Sequence, residues 1–276
     1  MLRLTTSLFL IGLTSLLGGC EPNAPHTITL ERYSLLKLVF PDWSGTASMV
    51  QTVDLSALRK KTSSANTGMQ RAQVFPLYVV KLDDIHAVLL TQTLPVGNGE
   101  EPHTCHGCSG FVSAYFFTRD DAGWKLSGRQ DAVTTSGVEG EIGKTAIARL
   151  GEAHYAFTSE WGSCWQGYCG SWLEVVSLRP DKAVAATLRS SIDNDGVNGA
   201  CSELDVKDSA VHSNNVRACH QVVGSWKFAA GHLIGDFRGR LTPTGKSVQK
   251  IHEQATYTFS DGTLRLERGT NPIPDF

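Results

Sequence analysis

From Val74 onward, short runs rich in Val, Ile, Tyr, Phe and Thr alternate with Gly, Asp, Asn and Pro at roughly 8–12-residue intervals. That is the spacing of strands and turns. The pattern predicts strands over 76–81, 85–93, 110–118, 122–129, 145–150, 153–160, 172–179, 183–190, 219–228, 232–242, 254–260 and 263–268. Three segments read as hairpins. VSAYFFTRDDAGWKLSG predicts a turn at Asp120–Gly123, ARLGEAHYAF one at Gly151-Glu152, and TYTFSDGTLRL one at Asp261-Gly262, where Asp-Gly suits a tight loop. No helical period of useful length interrupts these runs. Antiparallel sheets are therefore expected, as a sandwich or a partly open barrel, in preference to an α/β arrangement with crossover helices. The hairpins recur loosely, roughly every 30 to 40 residues, which leaves a small propeller-like array open, although no repeat motif is sharp.

Ahead of the strand-rich part the pattern is mixed. Residues 26–40 combine β-branched, aromatic and leucine residues so that strand and helix are equally served. Residues 54–61 (DLSALRKK) place Asp54 where an N-cap would stand, Leu55 and Leu58 three apart, and cations at the end, which predicts one short helix. The Ser/Thr/Asn/Gly-rich run 62–68 reads as a loop. The expected fold is thus all-β with a short helix near the N-terminus, built as a single domain over residues 26–276.

The first residues follow another logic. Met1-Leu2-Arg3 forms a small positive region, and the apolar stretch from Leu4 to Leu17 has the length of a signal-peptide core, short of the roughly 18–20 residues a spanning helix needs. It ends in Leu17-Gly18-Gly19-Cys20, which resembles the lipobox of bacterial lipoproteins. The resemblance covers only residues 1–20. It implies removal of residues 1–19, diacylglycerol on the Cys20 sulfur and, commonly, an acyl chain on its nitrogen; two or more chains give stable membrane anchoring. Glu21 stands where Asp would suggest retention at the inner membrane. A host with two membranes would therefore carry the protein on its outer membrane, facing the periplasm. Residues 20–25, with Pro22 and Pro25, then read as a lipidated tether.

The formal net charge of −2 becomes one unit more negative once Arg3 leaves with the signal peptide. There is no basic footprint for a phosphate backbone, so nucleic acid is not an expected partner. The membrane is expected to be reached through the lipid.

Six cysteines remain beyond Cys20: Cys105, Cys108, Cys164, Cys169, Cys201 and Cys219. An even number in an exported chain argues for a disulfide framework, and of the 15 connectivities the local one, Cys105–Cys108, Cys164–Cys169 and Cys201–Cys219, is the economical choice. His103-Thr104-Cys105-His106-Gly107-Cys108 invites other readings. Haem attachment fails because Ser109 stands where CxxCH needs histidine. Zinc would crowd its ligands within six residues and requires thiolates. A thioredoxin-like pair should open a helix, whereas Gly110–Arg119 continues as strand. A loop staple between strands remains the expectation.

Motif searches for catalysis are mostly negative. No G-x-S-x-G elbow, P-loop or dinucleotide fingerprint occurs, and His252-Glu253-Gln254-Ala255-Thr256 has Thr256 where a zinc protease needs its second histidine. Asp193, Asp195 and Asn198, in the run DNDGVNG, are candidate calcium ligands, but Ser202 stands where an EF-hand needs bidentate Glu, so a plain turn competes. No other cofactor is expected. The segment 160–172 (EWGSCWQGYCGSW) carries four large aromatics. Trp161 and Trp172 read as core at strand ends; Trp165 and Tyr168, on a loop stiffened by Cys164–Cys169, read as candidate binding residues. Two functions compete on this sequence: a non-enzymatic binding or inhibitor-type lipoprotein contacting an envelope protein or glycan, and an envelope hydrolase whose catalytic residues are scattered along the chain.

Overall fold

The computed structural model describes residues 29–45, 47–56, 68–198, 201, 219–242, 248–260 and 263–273. The short helix lies at α1 (Arg32–Val39), in the stretch where strand and helix competed. Its buried Leu35, Leu36 and Val39 form one apolar stripe, and the Arg32 guanidinium donates to the Leu77 carbonyl at 3.0 Å. Residues 57–67, which hold most of the helix expected over 54–61 and of the loop after it, lie outside the described residues. Asp54 itself ends a strand, and its carboxylate accepts the Ser56 N–H at 2.9 Å.

The strands form two antiparallel sheets in which sequence neighbours pair throughout. The first contains β1 (Met49–Asp54), β2 (Met69–Lys81), β3 (His86–Pro95), β4 (Gly110–Asp120) and β5 (Gly123–Ser136). The second contains β6 (Lys144–Gly151), β7 (His154–Trp165), β8 (Tyr168–Leu178), β9 (Ala183–Asp193), β10 (His220–Ala229), β11 (His232–Leu241), β12 (Gln249–Ser260) and β13 (Thr263–Gly269). Every predicted strand has its counterpart here. β1 has no sequence prediction because only Val53 of its six residues is buried, so no alternation marks it. β5 runs past its predicted end through a bulge at Ala132 (φ 54°), whose N–H donates to the buried Ser113 hydroxyl at 3.1 Å. The expected turn at Asp261-Gly262 falls outside the described residues.

Period-2 alternation assigns each face. Along β3, Ala87 and Leu89 join α1 residues in one core, while Val88 and Leu90 join Phe157, Val176 and Leu178 of the second sheet. The first sheet is therefore covered on both faces, by α1 and by the second sheet, which explains the almost unbroken burial of β3 and β4. The second sheet curls into a half-barrel. β10 pairs with β9 only from Gln221 to Val223, so β10 through β13 fold over the concave face of β7 and β8 and enclose a third core around Leu173, Val175, Leu233 and Phe237.

One polar network sits at the edge of the α1 core. Asp131 accepts hydrogen bonds from the Tyr115 hydroxyl at 2.9 Å, from Arg129 Nε at 2.9 Å and from the Asp54 N–H at 3.0 Å. The Arg129 guanidinium lies 5.0 Å from the Phe40 ring centre. Burial, followed by the Asp131 charge, pushes the Tyr115 phenol above its ordinary range.

Two histidines tie stability to pH. Burial holds His154 and His220 below the ordinary imidazole value of 6.5, with Arg179 adding to the effect on the first and Arg189 on the second. A depressed folded value means that the folded state prefers the neutral ring. The stabilisation is present above the unfolded value and is lost as pH falls through the folded one. The melting temperature is expected to drop as pH falls below about 6.5, and the His154→Gln/His220→Gln variant should flatten that part of the profile. Carboxylates held below 3.8, such as Asp83 and Asp120, act in a lower window. A wild-type slope retained in the double variant would refute the assignment.

Candidate functional site

β7 and β8 extend beyond their inter-sheet core into a hairpin closed by Gln166 and Gly167, with φ of 50° and 86°. Both residues in the left-handed region make the two-residue turn that matches strand twist. Cys164 and Cys169 are directly opposed and bonded. The other two disulfides, Cys105–Cys108 and Cys201–Cys219, also join the local pairs expected from spacing.

The register places Trp161 opposite Trp172, Ser163 opposite Gly170, and Trp165 opposite Tyr168. All six belong to one face, the face that nearer the hairpin's base carries Phe157 and Val176 into the inter-sheet core. Ser159 marks the boundary: it is buried, and its hydroxyl bonds Ser136 and the Ile142 carbonyl. Past that point the strip becomes an aromatic surface. Trp161 and Trp172 stack with ring centres 4.5 Å apart and planes 20° from parallel. They are half-buried and belong to none of the buried clusters, so the expectation that they serve as core is not what the structure displays. Trp165 and Tyr168 are exposed by 66% and 48%.

Between the two aromatic pairs the face drops to Ser163 and Gly170. A Cβ at position 170 would lie 3.2 Å from Arg189 Nη2 and 3.3 Å from Trp172 Cη2, so the absent side chain is what lets Arg189 and Trp172 pack down onto the strand there. Arg189, opposite Trp172 after a bulge at Ser171/Trp172, has its guanidinium 5.5 Å from the Trp172 ring centre. The result is a cleft of about 370 Å³ walled by Trp165, Tyr168 and Trp172, with Ile192 and Arg189 along its side. That volume lies within the range small ligands occupy.

Two further motifs meet at the hairpin tip. The loop between β3 and β4 brings His106 onto Trp165, with ring centres 5.9 Å apart and planes 27° from parallel. His106 Nδ1 lies 3.1 Å from Glu139 Oε1, and the Cys108 carbonyl accepts the Gly140 N–H at 2.8 Å. The Cys105–Cys108 staple thus carries a histidine against the aromatic tip, and the strand β4 follows it where a thiolate-stabilising helix would have to begin. On the other side Gly167 packs against Gly196 of a single helical turn, α2 (Asp195–Asn198). The candidate calcium ligands sit at the end of β9 (Asp193) and in this turn (Asp195 and Asn198). Asp193 accepts the Asp195 N–H at 2.8 Å and Asp195 accepts the Cys201 N–H at 2.9 Å; Asn198 ends the turn. Among the described residues no group of three or more His, Cys, Asp or Glu side chains gathers as a metal cage.

Sequence reasoning missed Gly170, Arg189 and the contact of His106 with Trp165. A signal existed for the first. The order W-x-x-C-W-Q-G-Y-C-x-x-W is symmetric about Gln166-Gly167, so a two-residue turn there pairs Trp with Trp and leaves glycine opposite serine. One pair has the composition of a hydrolytic site: His154 Nε2 lies 2.8 Å from Ser177 Oγ. Neither residue lines the aromatic cleft or the clefts beside Trp226 and Arg129. Scans of protein-family models, curated proteins and solved structures return no match for this chain.

Proposed function

We propose that this chain is a bacterial envelope lipoprotein, anchored through Cys20 after loss of residues 1–19, whose β domain binds an envelope glycan without catalysing a reaction. The observation that supports the binding role is the strip of two aromatic pairs separated by the Ser163/Gly170 depression. Sugar rings present C–H faces that pack on the negative face of an aromatic ring. The four-residue step from Trp161 to Trp165 spans about 13 Å along the strand, room for two hexose rings end to end. A disulfide across the hairpin and two neighbouring loops at its tip hold the rings in place before contact, which lowers the entropy cost of binding. A hydrolase would be better supported by acidic or nucleophilic groups in the cleft; among the described residues its lining supplies Ser163 beside the aromatics and no carboxylate.

The test is co-sedimentation of the detergent-solubilised full chain with purified cell-wall sacculi. The Trp165→Ala/Tyr168→Ala variant is expected to lower the bound fraction at least about tenfold, the equivalent of one modest interface hot spot, with its thermal transition preserved. Cys20→Ala is expected to move the protein from the membrane fraction to a soluble or unprocessed form. Capture that survives the double substitution would reject the glycan site, and wild-type size and membrane retention of the Cys20 variant would reject the anchor.

A further inference from the structure

Resting on the glycan reading, we propose that Glu139 and His106 are positioning residues of the aromatic cleft: the Glu139 carboxylate, acting through the imidazole, sets the Trp165 ring for its ligand, and does so at a cost to the turn that carries it. The first ground is backbone geometry. The connection between β5 and β6 contains a two-residue turn, Glu139-Gly140, flanked by Val138 and Glu141, whose N–H groups donate to each other's carbonyls at 3.1 and 2.9 Å. Both turn residues are left-handed, with φ of 56° and 79°. Glycine adopts that conformation freely and asparagine readily, whereas glutamate is a poor choice for it. Its side chain serves something outside the turn. The carboxylate reaches into the loop between β3 and β4, where Glu139 Oε1 lies 3.1 Å from His106 Nδ1. A carboxylate only accepts, so Nδ1 carries the proton of that bond.

The second ground is that stability does not account for the pair. The His106 and Glu139 side chains are 50% and 63% exposed, and a pair so open to water adds little to folding. Position accounts for it better. His106 stacks on Trp165 yet is not among the residues that line the cleft, so the imidazole covers the indole face turned away from the ligand. The loop that carries His106 is itself tied down, by the Cys105–Cys108 bond, by the Cys108 N–H donating to the Cys105 carbonyl at 2.8 Å, and by the Gly140 N–H donating to the Cys108 carbonyl. Trp165 stands exposed at a hairpin tip, where a free indole would populate several rotamers that a ligand must reduce to one. A ring held from behind loses less freedom on binding. A residue better suited to the turn at position 139 should therefore leave the protein no less stable and make it a poorer binder.

The test measures the apparent affinity of the detergent-solubilised full chain for purified cell-wall sacculi, by co-sedimentation over a range of sacculus concentrations, beside the melting temperature of each variant. Glu139→Asn, which suits the turn but falls short of His106, is expected to keep or raise the melting temperature and to weaken binding about three- to tenfold, the range that freeing one side chain implies. His106→Ala is expected to weaken binding by a similar factor. His106→Phe, which restores a ring behind the indole, is expected to return binding to within about twofold of wild type; this pair of variants decides the question if the Glu139 variant fails to fold. On the Trp165→Ala background Glu139→Asn should have no further effect on binding, since the ring it acts through is gone. Wild-type affinity in both Glu139→Asn and His106→Ala, a joint fall of melting temperature and affinity in Glu139→Asn, or an undiminished effect without Trp165 overturns this proposal, while the glycan reading stands as long as Trp165→Ala/Tyr168→Ala still abolishes capture. Failure of the wild-type chain to bind sacculi removes both.

Discussion

Replacing Phe157 with Ala is expected to destabilise the fold by about 3–5 kcal/mol, the usual cost of deleting a buried ring whose cavity cannot collapse. Phe157 has no exposed surface and occupies the layer between the two sheets with Val88, Leu90, Val176 and Leu178. Tyr78 from the first sheet meets its ring edge-on at 6.0 Å, and the Tyr78 hydroxyl in turn lies 2.8 Å from the Thr145 hydroxyl of the second sheet. Both sheets are held by backbone ladders, which limits how far they can move to fill the void. Urea unfolding checks this through the midpoint, with the slope unchanged; Phe157→Leu, which keeps most of the volume, should cost a fraction of the Ala value. A loss under about 1 kcal/mol for Phe157→Ala would mean that the sheets are not docked through this layer.

Asp131→Ala is expected to cost about 3 kcal/mol, because three donors lose their acceptor at once. The Asp131 carboxylate is 6% exposed, so its partners cannot simply turn to water; Arg129, at 33%, recovers part of its loss through solvent, which keeps the figure at the low end of values for broken buried pairs. Tyr115→Phe, by contrast, removes a single hydroxyl and should cost about 1 kcal/mol. A double-mutant cycle separates the two contributions: combined with Asp131→Ala, the tyrosine substitution should cost less than it does alone, since its hydroxyl has already lost the Asp131 acceptor. Full additivity would show that Tyr115 and Asp131 are not coupled. Both substitutions lie on the first sheet, in β4 and β5, and neither residue lines the aromatic cleft. Glycan capture by the folded variants is therefore expected to remain at the wild-type level.

What the sequence by itself determined is local. Period-2 alternation and turn residues are short-range properties, so the strand positions, the hairpin at Asp120–Gly123 and the antiparallel sheets were legible. The same holds for the disulfides, whose partners stand 3, 5 and 18 residues apart. α1 was ambiguous because YSLLKLVF satisfies either period, and the choice fell to packing: as a helix it sets Leu35, Leu36 and Val39 together on the first sheet. The site was legible only in part. Trp165 and Tyr168 could be singled out because aromatics beside glycine and serine on a stapled turn have no core to join. Their neighbours could not. His106 reaches Trp165 across 59 positions of sequence because the two sheets stack, and Arg189 meets Trp172 because a bulge shifts the β8–β9 register by one residue. Gly167 meets Gly196 because β9 runs back alongside the hairpin. Sheet stacking and bulges depend on how distant faces fit, a quantity that no window of sequence contains. The tertiary structure alone therefore turned three separate motifs into one site.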